Sequence, residues 1–227
     1  MTFYIAPIVE GHTEASCVER LLQRIWTQLL VGPERLQVLL PSRGHRDALI
    51  HPTGTNLAEK VEEAFEKLNL HLRQDPSGRG LLLLLLDAEG DCPAELAPRL
   101  LATGRQTRGD ADIACVLPKR MLENWILAGA STLAGINDLP SSLPARDQFE
   151  ECRGATWLEE QLRSRNRARK YKKRTDAERF VRALNLQECR ANSPSFDKLC
   201  RELEQRLQPP RTANDSGQAR GEPKTEA

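Results

Sequence analysis

Two carboxylates follow apolar runs of strand length: Glu10 comes directly after Phe3 to Val9, and Asp87 directly after Leu81 to Leu86. Further acids stand near each. Glu14 lies one helical turn beyond Glu10, and Glu89 and Asp91 follow Asp87 in a short loop. Carboxylates crowded together repel unless they are protonated or neutralised by a cation. Mg2+, or Mn2+ in its place, suits such a set because it takes a few carboxylates along with waters and substrate phosphates. Each acid also has a purely structural employment. Asp87 or Asp91 would cap the helix that follows it, and Glu10 would place negative charge at a helix amino end near Thr13. The equivalent placement of Glu10 and Asp87 at two strand ends favours a shared site.

For those side chains to meet, the runs before them must be parallel strands ending at one edge. Strands are predicted at Phe3 to Val9, Arg35 to Pro41, Leu81 to Leu86 and Ile113 to Leu117. The second is closed by Pro41 and a polar loop running to about Thr55. Helices are predicted between and after the strands. Val18, Leu21, Leu22, Ile25, Trp26 and Leu29 recur at helical spacing, as do Leu57, Val61, Ala64, Phe65, Leu68 and Leu72. Asn56, with Glu59 three residues on, is the expected start of the second helix. Pro93 to Ala102 forms a short third helix. Lys119 to Ala128 forms a fourth, with Trp125 in the core.

Four strands alternating with four helices imply an α/β fold with a Rossmann-like, mostly parallel four-stranded sheet flanked by helices, over residues 1–130. In such sheets ligands gather at the carboxyl edge. Residues 131–207 read as a helical C-terminal extension packed on that domain, with helices around Thr156 to Arg165, Asp176 to Leu186 and Ser193 to Leu207. In the last of these, Ser193 caps and Pro194 occupies the first turn. Residues 208–227 hold no large apolar side chain and read as a disordered tail.

A chain of 227 residues is long enough to bury a core without a metal or disulfide staple. Its six cysteines are scattered with no Cys-x-x-Cys pair, which suits reduced thiols in a cytoplasmic protein better than a zinc site. No run is long enough for a membrane span, and the amino terminus lacks the basic region of a signal peptide. The net charge of +1 hides a local excess, because Arg163 to Arg174 carries eight basic residues and no acid. Within it Lys170, Lys172 and Lys173 are candidates for nucleic-acid phosphates and Tyr171 for stacking on a base, against the plainer reading of a solvated helix face. Glu123 is a possible accessory acid alongside Glu14, although a salt bridge or cap serves it equally. His12 is close enough to Glu10 to suggest proton transfer. No Gly-x-x-x-x-Gly-Lys-Ser/Thr occurs, so any ATP hydrolysis belongs to a partner.

Val9-Glu10-Gly11-His12-Thr13-Glu14, followed by the leucine-rich run into Asp87-Ala88-Glu89-Gly90-Asp91, resembles the Toprim (topoisomerase-primase) domain, with its glutamate after strand one and Asp-x-Asp after strand three. Glu123 to Ala128, Lys170 to Lys173 and Ser193 to Leu199 are similar to a bacterial family of small stand-alone Toprim-like proteins of unknown function (DUF4276-like). The resemblance implies Glu10 as the acid/base residue and Asp87 as the main metal ligand, with Glu10, Glu89 and Asp91 completing the set. Catalysis would then fall to Glu10, Asp87 and Glu89. The chain departs from Asp-x-Asp in having Glu89 as the second acid, one methylene longer. The resemblance further implies relatives beside ATPases, of ABC or AAA type, in antiphage defence.

Three functions follow as expectations. One is a Mg2+-dependent nuclease cutting DNA or RNA, acting alone, as a homo-oligomer or with an ATPase. Another is a non-catalytic subunit binding nucleic acid or nucleotide for such an ATPase. The third is a phosphotransfer domain, for which no nucleophile motif is evident.

Overall fold

The computed structural model describes residues 1–144 and 147–207, without the side chains of His12 and Thr13. The proposed disordered tail therefore lies outside the described residues.

The strands are β1 (Thr2–Val9), β2 (Arg35–Val38), β3 (Ser42–Arg43), β4 (Arg79–Leu85) and β5 (Ile113–Val116). Every pairing is parallel, in the order β2-β1-β4-β5. The single strand expected at Arg35 to Pro41 is in fact interrupted. β2 pairs with the first half of β1, and β3 rejoins the same strand at Ile8 and Val9. Pro41 has no N–H to give to a ladder, so the break falls just before β3.

Side-chain parity divides the run of leucines between two layers. Leu81, Leu83 and Leu85 join one apolar cluster, and Leu82, Leu84 and Leu86 the other. Phe3, Ile5 and Val9 of β1 share the first, with Tyr4, Ala6 and Ile8 in the second. A strand covered on both faces has no need of polar alternation, which is why its sequence reads as unbroken leucine.

One layer is built from α1 (His12–Arg24), a π-helical turn at Ile25–Leu29, α5 (Leu122–Ala128), α6 (Gly154–Arg165), α7 (Lys173–Ala183), α8 (Leu186–Asn192) and α9 (Pro194–Leu207). The other holds α2 (Arg46–Leu49), α3 (Thr55–Gln74) and α4 (Pro93–Thr107). The C-terminal helices thus share the α1 face of the sheet, with α7 along α1 and α6 and α8 against α5.

Several boundaries shift from the sequence expectation for local reasons. α3 begins at Thr55 behind Gly54, whose φ of 68° supplies the turn without a side-chain cap. α4 runs on to Thr107 through Pro98. The helix expected from Asp176 to Leu186 is two helices, because Asn185 accepts the N–H of Glu188 at 3.1 Å and starts α8 afresh. Ser193 accepts the N–H of Phe196 at 3.2 Å, as its capping role requires. Among the described residues no helix is long and apolar enough to cross a membrane. The six cysteines are free, and Cys92 alone is exposed.

Candidate functional site

Strand order reverses at the seam between β1 and β4, where β1 connects onward to β2 on one side and β4 to β5 on the other. Such a seam opens a crevice at the carboxyl ends of its two strands. Asp87 continues the parity of Leu83 and Leu85 and so turns toward the α1 and α5 layer. Glu10 leaves β1 beside it. Glu14 sits in the first turn of α1, on the same stripe as Cys17, Val18 and Leu21, and is carried inward. Ligand oxygens of Glu10, Glu14 and Asp87 all lie within 4.8 Å of one another.

Burial makes this arrangement electrostatically tense. Glu14 and Asp87 are buried, at 5% and 4% exposure, and Glu123 on α5 is wholly buried. Loss of solvent, then the charges of Glu14 and Glu89, push the Glu10 carboxyl up to about 7, against the opposing pull of Arg46 and Lys173. Burial also drives Asp87 well above the usual carboxylate range, reinforced by Glu14, Glu10 and Glu123. Glu14 is raised by burial and by Glu123, with Lys173 opposing. Oε2 of Glu10 and Oε2 of Glu123 are buried without a hydrogen-bond partner among the described residues. Unused hard oxygens beside like charges are the donor chemistry of a Mg2+ or Mn2+ site.

Asp87 has a structural duty as well. Its Oδ1 accepts the N–H of Leu122 at 2.9 Å, which starts α5 there and not at Lys119. The helix it caps is the one after β5, not the one directly after its own strand. The loop beyond Asp87 is pinned by Arg46, whose guanidinium donates to the backbone oxygens of Asp87 at 2.9 Å and Ala88 at 2.8 Å.

The same guanidinium pairs with Asp91 and stands 3.8 Å from Glu89. Asp91 is therefore neither the cap of α4, whose cap residue is Cys92, nor part of the three-acid cluster. Glu89 takes a left-handed φ of 51° and is mostly exposed, near enough to act on Glu10 but outside the cluster. Of the acids expected to hold metal, the structure brings Glu10 and Asp87 together, adds Glu14, and places Glu89 and Asp91 with Arg46. The His12 side chain lies outside the described residues.

The basic stretch reaches the site from the C-terminal layer. Lys173 Nζ lies 4.0 Å from Glu123. Tyr171 stacks on Phe180 and its hydroxyl donates to Glu123 Oε1 at 3.3 Å, so one ring face is turned into the protein rather than offered to a base. Lys170 and Lys172 are exposed and line a groove of about 610 Å³ with Asn166, Arg169 and Arg179.

Glu123 keeps its position partly through Gly154, which packs on the α5 backbone and donates its N–H to Asn124 at 3.3 Å. A Cβ at Gly154 would come within 2.6 Å of the Glu123 carbonyl carbon. Since that neighbour is backbone, Gly154→Ala is expected to cost about 1–2 kcal/mol, read as a lower melting temperature. An unchanged melting curve would show that α6 shifts freely.

No curated protein and no solved structure matches the chain. A family does, described as a domain of unknown function, DUF4276, over residues 9–204, which takes in every acid of the cluster and helices α1 to α8. The chain belongs to the DUF4276 family.

Proposed function

We propose that the chain is a Toprim-type nuclease that hydrolyses nucleic-acid phosphodiester bonds with Mg2+ or Mn2+. The observation that carries this reading is the convergence of Glu10, Glu14 and Asp87 at the strand-order switch. When bound there, the cation supplies positive charge for the phosphate and lowers the pKa of the attacking water. Asp87 and Glu14 would hold it, together with one oxygen of Glu10. Glu10 is the least buried of the three, and its carboxyl is raised to about 7. That suits it to take a proton from water. Tyr171 and Lys173 hold Glu123 behind the cluster, while Lys170 and Lys172 would guide the strand. The Toprim-like resemblance implies a separate ATPase as the partner.

A second reading, a non-catalytic subunit holding nucleic acid or nucleotide, is favoured by one observation. Glu89, the second acid of the motif, is engaged by Arg46 outside the cluster. The two separate in a cleavage assay on supercoiled plasmid, single-stranded DNA and RNA with Mg2+ or Mn2+. The nuclease reading expects metal-dependent cutting that Glu10→Ala and Asp87→Asn both remove. Cutting that survives in both variants would refute the site, and no cutting with metal binding intact would favour the subunit.

A further inference from the structure

Next to the acid cluster lies a cavity of about 420 Å³ with walls of Glu89, Gly90, Arg120, Met121, Arg153 and Thr156. These come from the loop after β4, the turn between β5 and α5, and the start of α6. Glu89 and Met121 are the walls on the side of the cluster, since Glu89 lies two residues beyond Asp87 and Met121 precedes Leu122, whose N–H Asp87 accepts. The other polar walls are donors. Arg120 Nε is buried without a hydrogen-bond partner among the described residues. The acid nearest to Arg120, Glu151, stands 4.0 Å away and is held more closely by Lys119. The Arg153 side chain is exposed and has no ion pair or hydrogen bond among the described residues. α6 starts directly behind it without a side-chain cap. Of its first N–H groups, that of Gly154 goes to Asn124, while those of Ala155 and Thr156 have no partner among the described residues.

The guanidinium groups of Arg120 and Arg153 line this cavity together with a helix amino end that has no side-chain cap, and together they call for an anion rich in acceptor oxygens. We propose that this cavity seats a phosphate ester of the substrate, adjoining the phosphate that meets the acid cluster, with Arg120 and Arg153 as its binding residues. The nature of the substrate rests on the nuclease reading. The anion seat itself does not. The ester belongs either to a nucleic-acid strand or to a free nucleotide, and competition separates these sources.

The test is fluorescence anisotropy of a labelled single-stranded oligonucleotide bound to the full chain, with divalent ions chelated so that nothing is cut. Arg120→Ala combined with Arg153→Ala is expected to weaken binding about tenfold. It should also reduce the slope of log affinity against log salt by about 0.7, the amount expected when one phosphate of a single strand is no longer neutralised. Gly90→Asp is an independent probe, because a Cβ there meets nothing within 4 Å. It adds negative charge without crowding and is expected to weaken binding several-fold. Displacement by a mononucleotide supports a nucleotide as the source, and displacement by unlabelled oligonucleotide alone supports a strand. Wild-type affinity and slope in both variants would overturn the proposal. If the wild type cuts nothing while the arginine dependence holds, the nuclease reading falls and the seat stands. If it cuts and the arginines leave binding unchanged, the seat falls and the nuclease stands.

Discussion

Asp87→Asn is expected to lower metal-dependent cleavage by about 10³-fold or more, roughly 4 kcal/mol of transition-state stabilisation, while leaving the metal-free fold intact. The asparagine carbonyl oxygen still accepts the N–H of Leu122, so the start of α5 is preserved. What disappears is an acid whose ionised form is disfavoured by burial and by repulsion from Glu14, Glu10 and Glu123. Relief of that repulsion should hold the melting temperature in EDTA at or above the wild-type value. Asp87→Ala differs by stranding the Leu122 N–H, a loss of about 1–2 kcal/mol, and it should melt earlier. Both variants should lose the rise in melting temperature that Mn2+ gives the wild type. Cleavage and Mn2+ stabilisation at wild-type levels in Asp87→Asn would leave this aspartate a helix cap and nothing more.

That double duty of Asp87 also shows where sequence reading succeeds and where it stops. A run of six leucines must be a strand covered on both faces, and parity along it already decides which layer Asp87 turns toward. Glu14 is legible too, for it keeps the 3.6-residue stripe of Cys17, Val18 and Leu21, and an acid on an apolar stripe is carried inward. Placing Glu89 ahead of it gives the loop motif more weight than the helix period. The position of Glu89 escapes the sequence because its left-handed backbone, which swings the side chain toward Arg46, leaves no mark in a pattern of residue types. Arg46 itself opens α2, a single turn too short to show a period. Every residue of α5 is buried, so its pattern picks out no face, and the fate of Glu123 depends on Tyr171 and Lys173 from a distant part of the chain. Local periodicity locates the strands and the cluster's first two acids, whereas tertiary packing chooses the rest.

The same crowding makes metal affinity steeply pH-dependent. Glu10 is faced by Glu14 from α1, by Glu89 from the loop after β4, by Arg46 from α2 and by Lys173 from α7. Its carboxyl is raised to about 7 from 4.5, so the native protein keeps a proton that the unfolded chain has already released. Native proton uptake exceeds unfolded uptake between those values, and stability without metal must therefore fall as pH rises from about 4.5 to about 7 and level off above. Glu14 and Asp87, raised in the same direction, add to that fall. A cation must displace the Glu10 proton before it can use that oxygen, and each unit of pH well below 7 should weaken binding about tenfold. Between pH 7 and pH 5 the Mn2+ dissociation constant is expected to rise about 50-fold in titration calorimetry, Glu10 being half protonated already at pH 7, with proton release seen as a dependence of the heat on buffer ionisation. Glu10→Gln carries no such proton, and its Mn2+ affinity, weaker at pH 7, should follow a flatter profile. Equal pH slopes in wild type and Glu10→Gln would place the displaced proton on Glu14 or Asp87 and deny Glu10 its part in proton transfer.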